Sequence, residues 1–204
     1  MLEVAELEAV LAGGYELRGF ETKGPGPRSD SHLFAKVTRA ALGMGNRRDG
    51  GHIVVGIDDN DLDAMLPGLD GADLGSWLSY DDVTRKMAEY ADPPLRLAIA
   101  SLELSSGATV AVVEVAEFED IPHLCKKAFE PVLRQGALYV RPRKVPETSE
   151  VASSVEMREV IDLATEKALR TYVGMAERAG LTIGPRPAAP SDAARYEAER
   201  EGAW

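Results

Sequence analysis

The stretch that most constrains this chain is Gly50-Gly51-His52-Ile53-Val54-Val55-Gly56-Ile57-Asp58-Asp59. Ile53, Val54 and Val55 form a run of β-branched apolar residues that avoids water only in a strand buried on both faces. A glycine pair opens the run, and Gly56 with two aspartates marks where it should stop. Side chains at strand ends sit on a rigid scaffold yet reach solvent, so a site is expected there.

Residues 2–12 set Leu2, Ala5, Leu7, Val10 and Leu11 at helix-like intervals among glutamates and close on Gly13-Gly14, predicting a short amphipathic helix. Residues 17–23 read as extended, with Phe20 directed oppositely to Glu21 and Lys23 because strand side chains repeat every two residues. Glu16 is an odd number of residues from Glu21 and joins it only if the chain bends, which Gly19 permits. After Gly24-Pro25-Gly26-Pro27, a helix capped within Ser29-Asp30-Ser31 runs to about Leu42, with Leu33, Phe34, Val37 and Ala41 inward and Lys36 and Arg39 outward. The Gly-rich loop from Gly43 to Gly51 leads from a helix into a strand. It therefore lacks the strand-to-helix context of a phosphate-cradling loop.

Residues 60–78 lack clean periodicity and read as an acidic loop. A helix from Ser79 or Asp81 ends near Tyr90, ahead of Asp92-Pro93-Pro94. Leu95 to Leu104 and Thr109 to Val115 form a hairpin, and Ala137 to Arg141 a further strand. From Ser153 or Ser154 a longer helix carries Met157, Val160, Ile161, Ala164, Ala168, Tyr172 and Met175 in a stripe expected to pack on the sheet or on a second copy. Pro185, Pro187 and Pro190 then introduce a weakly structured tail. The expected class is α/β, an α+β mixed sheet flanked by helices, with a domain over 1–150, a C-terminal helix over 151–180 and a tail over 181–204.

Apolar runs are far shorter than the ~20 residues a bilayer span requires, so no membrane partner is expected. The amino terminus lacks the basic and apolar regions of a secretory signal, which favours a cytoplasmic protein; the lone Cys125 rules out an intrachain disulfide. A formal charge of −11 argues against indiscriminate nucleic-acid binding. Its distribution softens that argument: Lys126, Lys127, Arg134, Arg141, Arg143 and Lys144 stand against Glu130 alone between His123 and Lys144. The three histidines have no cysteine partners at zinc spacing.

Glu16-x4-Glu21-x-Lys23, a helical interval, Gly50-Gly51 with its apolar strand, Gly56-Ile57-Asp58-Asp59 and the late Leu138-Tyr139-Val140-Arg141 resemble the Schlafen-type AlbA-like domain over roughly residues 7–170. Thr22 stands where that family usually has Phe, and Arg47-Arg48 replaces the small residues more common before Gly-Gly. The resemblance implies a nucleic-acid-binding module. In the family's tRNA-cleaving branch three acids hold a metal, which by motif fall on Glu16, Glu21 and Asp59, with Asp58 a near competitor.

Such chemistry suits clustered carboxylates, because Mg²⁺ or Mn²⁺ takes oxygen ligands and activates water, while a lysine such as Lys23 stabilises charge developing on phosphate. The expected function is a metal-dependent endoribonuclease acting on tRNA or other structured RNA in stress or phage defence. Arg47 and Arg48 join the basic residues already named as contacts to RNA or single-stranded nucleic acid. The alternative is a non-catalytic module that binds nucleic acid, or a protein partner through its C-terminal helix. A homodimer would supply the second lobe that larger relatives build from two such domains.

Overall fold

The computed structural model describes residues 2–13, 17–58, 61–143 and 147–181. Two compact units divide the chain, Met1–Lys167 and Ala168–Trp204. The first is a mixed sheet between helices, as expected of an α/β chain. Its elements are α1 (Val4–Ala12), β1 (Phe20–Lys23), α2 (Ser31–Gly45), β2 (Gly51–Val55), α3 (Gly71–Leu78), α4 (Tyr80–Met87), β3 (Ala91–Asp92), β4 (Leu97–Glu103), β5 (Thr109–Val115), β6 (Leu124–Cys125), β7 (Tyr139–Val140) and β8 (Ser149–Glu150). The long α5 (Ser154–Arg178) follows, and the second unit is described from Ala168 to Leu181.

The sheet runs β1-β2-β5-β4, with β1 parallel to β2 and the other pairs antiparallel. The Ile-Val run is therefore an inner strand, covered on both sides. Ile53 and Val55 join Ala111, Val113 and Val115 under Phe34, Val37 and Ala41 of α2. Val54 shares the opposite face with Phe20, Val110 and Val112, beneath Leu7 and Leu11 of α1. Glu21 and Lys23 register with Ile53 and Val55, so both acquire the α2 side, opposite to Phe20.

The glycine pair permits close approach. Gly50 has φ +63° and lies so near β5 that a Cβ would stand 1.9 Å from Val115 O; a Cβ on Gly51 would meet Met44 Sδ at 2.3 Å. Gly107, in the β4–β5 turn, also has positive φ but open space around it.

One expectation is corrected and one is met only in part. The stretch expected to be an acidic loop contains α3, capped by Asp70, which accepts from Asp73 N at 2.8 Å. This helix is anchored by the fully buried Trp77, whose ring stacks on Phe34 at 6.0 Å and whose indole donates to Gly26 O at 2.9 Å. Two turns give too few apolar positions for periodicity to register.

In α5 only part of the expected apolar stripe, Val160 with Ala164, packs within the first unit. Within the first unit Val160 and Leu163 are buried with Phe118 and Val140, while Met157 and Ile161 are 40% and 53% exposed. Polar contacts help set this orientation, since Glu159, Glu166 and Lys167 pair with Arg18, Arg48 and Glu117. In the described part of the second unit, Tyr172 and Met175 are exposed. Among the described residues no helix is long and apolar enough to cross a membrane.

His123 is buried, its Nδ1 lies 2.7 Å from Pro93 O, and its backbone N donates to Asn46 Oδ1 at 2.7 Å. Burial holds this imidazole below the usual histidine range. The unfolded chain consequently binds a proton at His123 more readily than the folded one, and that contribution to stability is lost as pH falls below the ordinary value of about 6.5. Denaturant midpoints measured from pH 7.5 to 5 should fall, and less steeply in His123→Gln. A second expectation concerns the glycines: Gly50→Ala should cost well over 2 kcal/mol by collision with the β5 backbone, whereas Gly107→Ala should cost only about 1 kcal/mol from φ strain. Urea melts compare the two directly.

Candidate functional site

β1 is an edge strand, so its outward backbone groups have no neighbouring strand. Gly19 O and Lys23 O face β2, accepting from His52 N at 2.8 Å and Gly56 N at 2.9 Å. The carbonyls that point the other way are met by side chains. Arg141 Nη2 donates to Phe20 O at 2.8 Å, and Lys23 Nζ to Thr22 O at 3.0 Å. Arg141 also holds the approach to the strand, donating from Nε to Arg18 O at 2.9 Å and from Nη2 to Leu17 O at 3.3 Å.

The remaining Arg141 nitrogen, Nη1, pairs with Glu21 Oε2 and lies 3.5 Å from Thr148 Oγ1. Glu21 Oε1 pairs with Lys23. Each nitrogen of the guanidinium thus has oxygen partners, which is what allows a side chain only 2% exposed to keep its charge. Arg141 is therefore not the surface phosphate contact expected of it. It is a buried clamp on the free edge of β1.

The other expected cations are also largely engaged. Lys127 pairs with Glu89 at 2.7 Å, Arg134 with Glu150, Arg143 with Glu159 and Arg48 with Glu166. Their partners hold Lys127, Arg134 and Arg48 above, and Glu89 and Glu150 below, their usual ranges. Burial tends to raise Glu159, but Arg18 and Arg143 outweigh it and hold the carboxyl low. Arg47 is half-buried over Gly19 and donates from Nη1 to Gly50 O. Burial, then the neighbouring charge of Arg18, lowers its proton affinity. Lys126 is exposed, and Lys144 lies outside the described residues. Acids distant in sequence thus offset the basic excess of 126–144 locally.

A cleft of about 650 Å³ runs along the free edge of β1, reaching α2 on one face of the sheet and α1 on the other. Glu21 and Lys23 line one side; His32, Leu33, Lys36, Arg39 and Ala40 line the other, on one face of α2 at helical spacing. Arg39 lies over Tyr139, 5.5 Å from the ring centroid, and its Nε is shielded from solvent with no hydrogen-bond partner among the described residues. No described carboxylate forms an ion pair with Lys36 or Arg39. Asp30, at the same wall, is committed to capping: Leu33 N and His32 N donate to it and hold its carboxyl below the usual range.

Lys36 and Arg39 were legible only as the outward face of a helix. Their spacing of three was the available signal, but nothing in the sequence says that β1 would face them.

Of the three expected metal ligands, Glu16 and Asp59 lie outside the described residues. Glu21 is committed on both oxygens, one to Lys23 and one to Arg141, so a divalent cation would have to displace an existing positive charge there. Among the described residues no three His, Cys, Asp or Glu side chains form a group able to hold a metal ion. Of the expected ligand set, the described residues supply Glu21 alone, and its carboxylate is held by two cations.

Removing one partner of a buried ion pair leaves the other uncompensated. Arg141→Met should cost about 3–5 kcal/mol, and Arg141→Lys should recover little of it because an ammonium cannot span the same oxygens. Chemical denaturation of both variants, with Glu21→Gln completing a double-mutant cycle, measures the loss.

No family model and no curated protein matches the chain. Among solved structures it is similar to the DIP2311 protein from Corynebacterium diphtheriae, with a TM-score of 0.49 and 16% identity. The similarity covers 76% of this chain and 27% of that one, so the chain spans about a quarter of the length of that protein.

Proposed function

We propose that this chain is a nucleic-acid-binding protein whose phosphate-contacting surface is the β1–α2 cleft rather than the basic stretch 126–144. The observation that carries this reading is the pair Lys36 and Arg39, two cations on the cleft face of one helix that form no ion pair with a carboxylate among the described residues, while five of the cations expected to bind, Arg48, Lys127, Arg134, Arg141 and Arg143, do. Phosphate contacts dominate affinity for nucleic acid and come from accessible Lys and Arg. The resemblance to Schlafen-type AlbA-like domains supports the same class of partner, RNA or single-stranded nucleic acid.

Within this reading Arg141 and Lys23 hold Glu21 and the strand edge rigid, so the cleft keeps its shape. The resemblance alone supports cleavage by metal at Glu16, Glu21 and Asp59; the two cations on Glu21 favour binding without cleavage.

The test is binding of tRNA and of short single-stranded RNA and DNA, by fluorescence anisotropy across a salt series. Lys36→Ala and Arg39→Ala should each weaken binding by about tenfold and reduce the salt slope by about one, as loss of a phosphate contact does. Lys127→Ala and Arg134→Ala should change affinity by less than about twofold, as expected of paired surface charges. The reverse pattern would move the interface to the 126–144 stretch. Parallel incubations with Mg²⁺, Mn²⁺ or EDTA separate the activities: metal-dependent cleavage lost in both Glu21→Ala and Asp59→Ala would assign catalysis.

A further inference from the structure

The cleft has two chemically different walls. Toward α2 it presents Lys36 and Arg39; toward α1 it is apolar, lined by Val10, Leu11 and Phe20 together with Leu62. Val10 and Leu62 are only partly buried, so the apolar wall reaches solvent inside the cleft. Its volume, about 650 Å³, falls within the ~300–1,000 Å³ of sites that enclose a small molecule. A polymer lying along a surface by its phosphates alone needs cations but no apolar wall. A nucleotide with its base turned out needs both, an apolar surface for the ring and donors for the phosphate.

Arg39 sharpens the argument. Its guanidinium is held over Tyr139 while the residue lines the cleft, so an arriving anion meets a cation whose position is already fixed. Lys36, one turn earlier on the same face, adds an exposed ammonium. On the opposite side Lys23 and Arg141 neutralise Glu21, leaving Glu147 and the capping Asp30 as the other carboxylates that line the cleft.

We infer that the cleft is a site for one unpaired nucleotide, its phosphate on Lys36 and Arg39 and its base against Val10 and Leu62. This rests on the nucleic-acid reading above and narrows it. A base in a duplex is stacked and would have to be extruded to reach the apolar wall, so single strands bind in preference to duplexes. A free nucleoside monophosphate carries both features and competes with the strand for the same place.

The experiment is competition against a short labelled single-stranded oligoribonucleotide, using adenosine 5′-monophosphate, adenosine and inorganic phosphate as separate competitors, with the matching RNA duplex measured directly. The monophosphate should displace the strand at a concentration at least about tenfold below either adenosine or phosphate, since it alone meets both walls. Leu62→Asp should weaken competition by the monophosphate while leaving that by phosphate within twofold, and Leu62→Ala, milder for folding, should move the same way. Lys36→Ala should weaken both. A duplex that binds as tightly as the single strand, or a monophosphate no better than phosphate, overturns the inference while leaving the nucleic-acid reading intact. If the wild-type protein binds no oligonucleotide at all, the reading beneath it falls, and the inference with it.

Discussion

The rest of this structure depends on one buried guanidinium. Arg141 reaches from just beyond β7 to the open edge of β1, satisfies carbonyls of Leu17, Arg18 and Phe20, and pairs with Glu21. A free strand edge invites association with other chains, and proteins commonly blunt it with charge. Here the blunting also fixes position, because a planar fork with five donors imposes geometry that an ammonium would not. Lys23 completes the arrangement from within the strand, closing Thr22 O and the second oxygen of Glu21. The segment leading from α1 to α2 is thereby tied to one far along the chain, and the cleft between them acquires a rigid floor.

That arrangement explains why the acids and bases of the chain divide as they do. Charges at the periphery pair across large sequence separations, such as Arg18 with Glu159 and Arg48 with Glu166, and link α5 to the loops before β1 and β2. Arg48 with Glu166, the more exposed of the two, adds little stability by itself. The effect of such pairs is on the electrostatic surface, where they cancel cations that the sequence presents as a cluster. Among the described residues Lys36 and Arg39 form no such ion pair, though Asp30 and Glu150 feel their charge. Local charge, rather than the total of −11, governs what the cleft attracts.

Much of the fold was legible in the sequence because its signals are local. Ile53 to Val55 required cover on both faces and obtained it as β2; the two-residue alternation put Glu21 and Lys23 opposite Phe20; the hairpin of β4 and β5 was marked by its turn. What escaped was set by tertiary context. The two-turn α3 is held chiefly by Trp77, and in α5 Val160 of the expected stripe is buried with Leu163 against Phe118 and Val140 while Met157 and Ile161 stay exposed. Arg141 looked like one basic residue among six, and no local pattern distinguishes a cation that will be buried from one that will stay in water. Glu21 was identified as an important acid, but its expected partner was a metal and the partners it has are Lys23 and Arg141. Glu16 and Asp59, on which the metal expectation depended, lie outside the described residues.

The central claim is that the clamp at Glu21 and Arg141 presents the α2 face as the surface that meets nucleic acid. Backbone amide shifts of isotopically labelled protein, followed by nuclear magnetic resonance while unlabelled single-stranded RNA is added, test it most directly. The account requires the largest progressive changes around Lys23 and from Leu33 to Ala40, with those around Lys127 and Arg134 unmoved. Changes concentrated around Lys127 and Arg134, with α2 silent, would contradict it.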